Sequence, residues 1–504
     1  MRPWILVILT AAPVSAACGG TPNQQEQQAG QAMAASRLRH HVEVLAHDSL
    51  GGRGTGQSGY LGAARYAAQV MEQTGLEPAF RDHEGGPTYL QQVPLVRCDF
   101  SDRDAVALRI AQADTTVEQG ESGFTTFHPG PATRRVRDAP LVFAGYGLRA
   151  PEQGWDDFAG LELEGRAVVL LAGLPGAGEI RSLPGRVRRS FSDRDEAARD
   201  AIAYAIEHGA AAILIVPDRL LLGRWDDIPT QRAMPRAAEY SEGIMGAPAL
   251  PIPVILLRPP LVEFLFRGSR YDPMGRTGEY RTFQLAGALA SVNMETSCET
   301  IGAPNVVGVI HGTDSDLRSE YIVVSAHLDG LGERGGAIYN GANDDASGSA
   351  AALEIGKELA QYPPERSVVV ALFTGEELGH IGSVYFVDHP PFALARIVAN
   401  LNLEHYGRLE RGNRCDALGP PELVEVLERN LGDVDLELVP SPSAIRGADQ
   451  YTFFLREIPA LNIGCGPFDD YHTPRDDANR IDYDLLERNT RLAYRFVRDL
   501  ASRD

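Results

Sequence analysis

The chain has 504 residues, 44% of them hydrophobic and 23% charged, with a formal net charge of −21. That length divides into two folded units plus extensions, and the composition is that of a soluble globular protein. The acidity excludes a nucleic-acid partner, because phosphates would be repelled.

The first residues read as an export signal. Arg2 precedes the apolar run WILVILTAA, and the small residues PVSAAC follow. The run is too short to span a bilayer comfortably as a mature helix. Cys18 after SAA resembles a bacterial lipoprotein cleavage site, although Ser15 stands where Leu or Val is usual. Residues 1–18 are expected to be a signal peptide of lipoprotein type, with plain secretion as the alternative, and the Gln-rich 19–33 a tether. The destination would be the periplasm or cell envelope, and a lipid on Cys18 the membrane contact. Export permits disulfides. Cys98, Cys298, Cys415 and Cys465 allow three pairings; Cys98–Cys298 with Cys415–Cys465 is preferred, and four buried thiols is the alternative. None has CxxC spacing, which argues against a thiolate zinc site.

From about residue 33 to 76 two helical stretches flank a glycine break, GGRGTG. In the second, Leu61, Ala64, Ala68 and Met71 recur at spacings of three and four, and Gly75 ends the helix. The break lacks the Lys-Ser/Thr of a phosphate loop and reads as a turn. Residues 135–262 hold strand-like PLVFAGYG, GRAVVLLAG and AAILIVPD, with the helix DEAARDAIAYAIEHG terminated by Gly209. They carry no catalytic cluster and read as an insertion splitting a main domain into 34–134 and 263–504. The C-terminal part alternates short apolar runs (YIVVSA, RSVVVALF, ARIVANLNL, IPALNIG) with amphipathic helices. The expected fold class is therefore α/β, a largely parallel sheet sandwiched by helices.

Each of those runs leads into a candidate metal ligand. YIVVSA runs into His327, with Asp329 two residues on. GANDDASG places Asp344 in a tight loop before a helix, and RSVVVALF leads to Glu376 and Glu377. Glu404 ends LNLE, beside His405, and IPALNIG leads to Tyr471 and His472 in YHTPRDD. Ligands collect at the carboxyl ends of parallel strands, so these residues should converge. Taken singly each is weak: Asp344 would make a good helix N-cap, the Glu pair a solvated turn, and a His in a Pro-containing loop a surface residue. Five in order at strand ends are specific. Two imidazoles and three carboxylates suit a pair of zinc ions, and one glutamate of the pair, left off the metals, would be a general base. His380 and His405 have no spacing argument and read as structural.

The ordered set SAHLDG, NGANDDASG, FTGEELGHIGS, NLNLEH and YHTPRDD resembles the motifs of metallopeptidase family twenty-eight, the co-catalytic di-zinc aminopeptidases, and LAHDSLGGRGTG extends the likeness. The 135–262 unit looks like a protease-associated domain. By that resemblance His327 and Glu404 would hold one Zn²⁺, Glu377 and His472 a second, with Asp344 bridging. Glu376 would be the base that activates a metal-bridging hydroxide against a peptide substrate. Asp329 would accept from the other nitrogen of His327, and Tyr471 would stabilise the oxyanion. Relatives usually carry Asp where Glu404 stands, which leaves carboxypeptidase or dipeptidase action open. GADQYTFF replaces a frequent Ser-Asp-His. A receptor-like relative without activity and a one-metal glutaminyl-cyclase-like acyltransferase are the competing readings.

Overall fold

A computed structural model describes residues 34–100, 105–110, 115–119, 124–126, 134–175, 194–223, 225, 236–237, 250–294, 296–410, 412–432, 434–441, 447–466 and 468–502. The expected signal peptide, tether and Cys18 lie outside them. Among the described residues no helix is long and apolar enough to cross a membrane.

In chain order the main domain comprises α1 (Ala35–Leu45), α2 (Ser58–Thr74), β1 (Leu90–Phe100), β2 (Thr296–Ile310), β3 (Tyr321–His327), α3 (Ser347–Gln361), β4 (Ser367–Phe373), α4 (Ile381–Asp388), β5 (Ile397–Glu404), β6 (Arg414–Leu418), α5 (Pro421–Arg429), β7 (Glu437–Ser441), β8 (Ala460–Gly464) and α6 (Tyr483–Ala501). The main run of strands is β1-β2-β4-β3-β5-β8-β6-β7. Its centre, β4-β3-β5-β8, is parallel, and β1 and β2 join antiparallel at one side. Parallel strands covered on both faces should read as unbroken apolar runs. β4 does so: every residue of Ser-Val-Val-Val-Ala-Leu-Phe is buried. α1, α2 and α6 pack with α3, and their Leu38, Val42, Ala67, Leu492 and Phe496 share one core with the sheet. Each large apolar side chain so buried contributes about 1.5–3 kcal/mol.

The sheet sets the site by register. His327 pairs with Phe373, the residue that ends β4, and Glu404 pairs with Gly464, which ends β8. Four strand ends therefore finish on one edge, as the alternation of runs and helices implied.

The second unit is larger than expected. Its eight-stranded sheet draws in Ala105–Ile110 and Thr115–Gln119 before residue 135 and Phe283–Met294 after 262. Those flanking strands pair antiparallel around Arg134–Phe143 and Ala105–Ile110. β1 and β2 form the paired ribbon through which the chain leaves and re-enters the main sheet. In it Cys98 faces Cys298, and Cys298 is disulfide-bonded. Cys415 and Cys465 were expected to be bonded as well; both are free buried thiols, 3.5 Å apart on β6 and just beyond β8.

Candidate metal centre and active site

His327 is wholly enclosed at the end of β3. Its Nε2 lies 3.1 Å from Asp344 Oδ1, and its Nδ1 3.2 Å from the backbone carbonyl of Asp329. Asp344 sits in the loop before α3, where Asp476 grips the backbone: its two oxygens accept from the amides of Asn343 (2.9 Å) and Asp344 (3.0 Å). The other oxygen of Asp344, Oδ2, is 3.2 Å from His472 Nε2, which is also 3.3 Å from Glu377 Oε2. Donor atoms of His327, Asp344 and Glu404 lie within 4.8 Å of one another, and so do those of Asp344, Glu377 and His472. The two groups share Asp344. Glu376 belongs to neither, yet its Oε2 is 3.9 Å from His327 Nε2.

The next aspartate ties the floor together. Asp345 accepts from the amides of His327 (3.3 Å), His405 (3.3 Å) and Gly348 (3.1 Å), joining the ends of β3 and β5 to the start of α3.

Four carboxylates in so small a volume repel one another unless something positive lies between them. Burial first, then the charge of Asp344, raises Glu377 to about 7, and burial raises Glu404 well above the usual carboxylate range. Burial opposes charge on His472, but hydrogen bonds to Asp344 and Glu377 lift it to about 9. The protein alone thus balances the cluster with protons. Glu377 Oε1 and His405 Nε2 are buried without a hydrogen-bond partner. Nitrogen and oxygen donors in two overlapping sets, with the orphaned Glu377 Oε1 among them, fit a pair of divalent cations.

Residues 305–497, which carry all five donors, match Peptidase family M28. The chain is 32% identical over 106 residues to "Probable glutamate carboxypeptidase" of Arthroderma benhamiae (20% of this chain, 13% of that protein). It is also 32% identical, over 104 residues, to "Aminopeptidase YwaD" of Bacillus subtilis (20% of this chain, 22% of that protein). The chain thus spans less than a quarter of either relative. The aminopeptidase from Aneurinibacillus sp. strain AM-1 superposes with a TM-score of 0.60 at 18% identity, covering 95% of this chain and 97% of that one, which shows a shared fold.

Three residues of the site stand otherwise than expected. The carboxylate of Asp329 is 3.7 Å from His327 Nδ1 and is engaged elsewhere, accepting from Thr55 Oγ1 (2.8 Å) and the amides of Glu376 (3.2 Å) and Glu377 (3.4 Å). The backbone carbonyl of Asp329, not its side chain, orients the imidazole. His405 is not merely structural, since its Nε2 is 3.4 Å from Asp344 Oδ1. Nor is His380, which contacts Glu376. Tyr471 is 41% exposed and stacks on His472 with ring centroids 3.8 Å apart. His380, His405 and His472 all have positive φ, 63°, 54° and 55°, a strained backbone that concentrates at functional sites.

The glycine break near the N-terminus proved to be part of the site. Arg53 is completely buried and donates to four carbonyls: Leu328 (2.9 Å), Leu45 (2.7 Å), Asn340 (2.7 Å) and Gly341 (2.9 Å). It pins the loops bearing Asp329 and Asp344. Gly52, at φ 68°, lets the chain approach: a Cβ there would meet the carbonyl of Tyr339 at 2.4 Å. An arginine between glycines was the available signal.

Proposed function

We propose that the protein is an exported zinc exopeptidase with two ions per chain, removing N-terminal residues from peptides. The observation that carries this is the pair of three-residue donor groups meeting at Asp344. His327, Asp344 and Glu404 would hold one ion, and Asp344, Glu377 and His472 the other. When bound, the ions supply Lewis acidity that polarises the scissile carbonyl and makes a water nucleophilic near neutral pH. Glu376, beside the donors but outside both groups, takes the proton of that water and passes it to the leaving amine. Asp329 holds the Glu376–Glu377 backbone in place, and Tyr471, next to His472, is the candidate donor to the oxyanion. Replacing Glu376→Gln should lower turnover about 10²- to 10⁴-fold with zinc content unchanged; full turnover would remove Glu376 from the mechanism.

Glu404 favours a second reading, carboxypeptidase or dipeptidase action. Its longer side chain, with Oε2 3.5 Å from Asn462 Nδ2, changes the space in which a terminal group would be gripped, and the equal likeness to an aminopeptidase and a glutamate carboxypeptidase keeps both polarities open. Peptides blocked at one end separate them: cleavage of an N-acetylated peptide, with none of a C-amidated one, establishes the carboxypeptidase.

Export draws support from the disulfide at Cys298, since such bonds persist in oxidising compartments. The unit between β1 and β2 is read as the protease-associated domain. A complete donor set speaks against a receptor-like relative, which purified protein with less than one zinc per chain would restore.

A further inference from the structure

Behind Glu376, on the side away from the donors, two buried ionisable groups take no part in the cluster. His380 has no exposed surface, and neither has Asp449. His380 is the residue before α4, and its positive φ turns the backbone so that Nε2 comes 3.3 Å from Glu376 Oε1. The two oxygens of Glu376 thus face different ways: Oε1 meets His380, while Oε2 lies 3.9 Å from His327 on the side of the donor groups. Asp449 precedes the short helix Gln450–Phe454 and takes the hydroxyl of Ser383, in the first turn of α4, at 2.5 Å. Its second oxygen, Oδ2, and both ring nitrogens of His380 are buried with no aligned hydrogen bond. Three ionisable residues therefore run from the cluster into the protein, and the two innermost, His380 and Asp449, have unmet hydrogen-bonding capacity.

Burying such groups unpaired is costly, and a satisfied polar structural network would not leave them so. Contacts that are loose in a ligand-free site tighten in the reacting complex. Burial raises Asp449 to about 7, with the charge of His380 acting against it. Asp449 therefore lies within electrostatic reach of the imidazole.

We propose that His380, backed by Asp449, is a positioning residue for the general base: it holds Oε1 of Glu376 so that Oε2 is presented to the attacking water. This rests on the reading of Glu376 as the base. A carboxylate on a two-bond swivel spends most of its time misdirected unless one oxygen is anchored, and outer partners of this kind are worth about 10- to 100-fold in activity.

The test measures kcat, KM, zinc content and thermal unfolding for full-length His380→Leu, His380→Gln, Asp449→Asn and the His380→Leu/Asp449→Asn double variant, with Glu376→Gln alongside, on a chromogenic aminoacyl or peptidyl substrate. His380→Leu should lower kcat about 10- to 100-fold with KM and zinc content close to wild type. His380→Gln, which keeps a donor, should recover most of that loss. Asp449→Asn should lower kcat less and add nothing to His380→Leu, as coupled residues do. Unchanged kcat in zinc-loaded His380→Leu overturns the proposal, as does loss of kcat in proportion to lost zinc or lost fold across the set. Should His380→Leu not fold, a kcat in zinc-loaded Asp449→Asn equal to wild type overturns it equally. Full activity in Glu376→Gln would instead sink the assignment of the base, a separate failure.

Discussion

The hydroxyl of Thr55 donates to Oδ2 of Asp329 at 2.8 Å, across 274 residues of sequence. Through that carboxylate an N-terminal loop reaches the amides of both Glu376 and Glu377. Asp329→Ala should therefore release the glutamate pair as a unit. Zinc affinity is expected to fall about 10- to 100-fold, read by competition with a chromophoric chelator. An Asp329→Ala protein with native affinity would show that the pair is held by something else.

Arg53 has the heaviest structural duty near the site. Arg53→Met preserves length and apolar packing but leaves the carbonyls of Leu328, Asn340, Gly341 and Leu45 without their donor. Each unsatisfied buried acceptor costs about 1–3 kcal/mol, so the loss should reach at least about 3 kcal/mol. Denaturant unfolding measures it, and a change below 1 kcal/mol, on the order of a single net hydrogen bond, would contradict the assignment.

In the metal-free protein, stability should depend on pH in a defined direction. His472 rises from 6.5 to about 9, its carboxylate neighbours overcoming burial, and His405 rises to about 10, again against burial, chiefly through Asp344. Folded values above the free value mean that these contacts stabilise fully below pH 6.5 and are lost as pH climbs through about 9 to 10. Metal ligation requires neutral His327 and His472, so binding must expel protons, and affinity must rise with pH over the same range. Zinc titration calorimetry in two buffers of different ionisation enthalpy should give different apparent heats; equal heats would mean that no proton leaves.

How far the sequence disclosed this molecule differs by element. The parallel centre was legible because β3, β4, β5 and β8 are apolar runs that no solvent-facing strand would tolerate, and each delivers a ligand type at its end. The donors His327, Asp344, Glu377, Glu404 and His472 fall together in space for that reason. The ribbon of β1 and β2 was illegible, since its outer residues alternate too weakly to distinguish a strand from a loop. Arg53, Asp345 and Asp476 were missed because they act on backbone amides and carbonyls, partners that carry no side-chain signature. His380 and His405 were set aside for want of spacing, when what places them is a turn of the backbone at a strand or helix end. The role first given to the side chain of Asp329 belongs to its backbone carbonyl, a distinction that only coordinates can draw.

In the proposed enzyme Asp344 joins two cation sites. Crystals of the zinc-loaded protein, with diffraction recorded on both sides of the zinc absorption edge, test it most directly. Two anomalous peaks are expected about 3.5–4 Å apart, one beside His327 and Glu404, the other beside Glu377 and His472, with one oxygen of Asp344 toward each. A fully loaded crystal showing one peak, or peaks remote from Asp344, would contradict it.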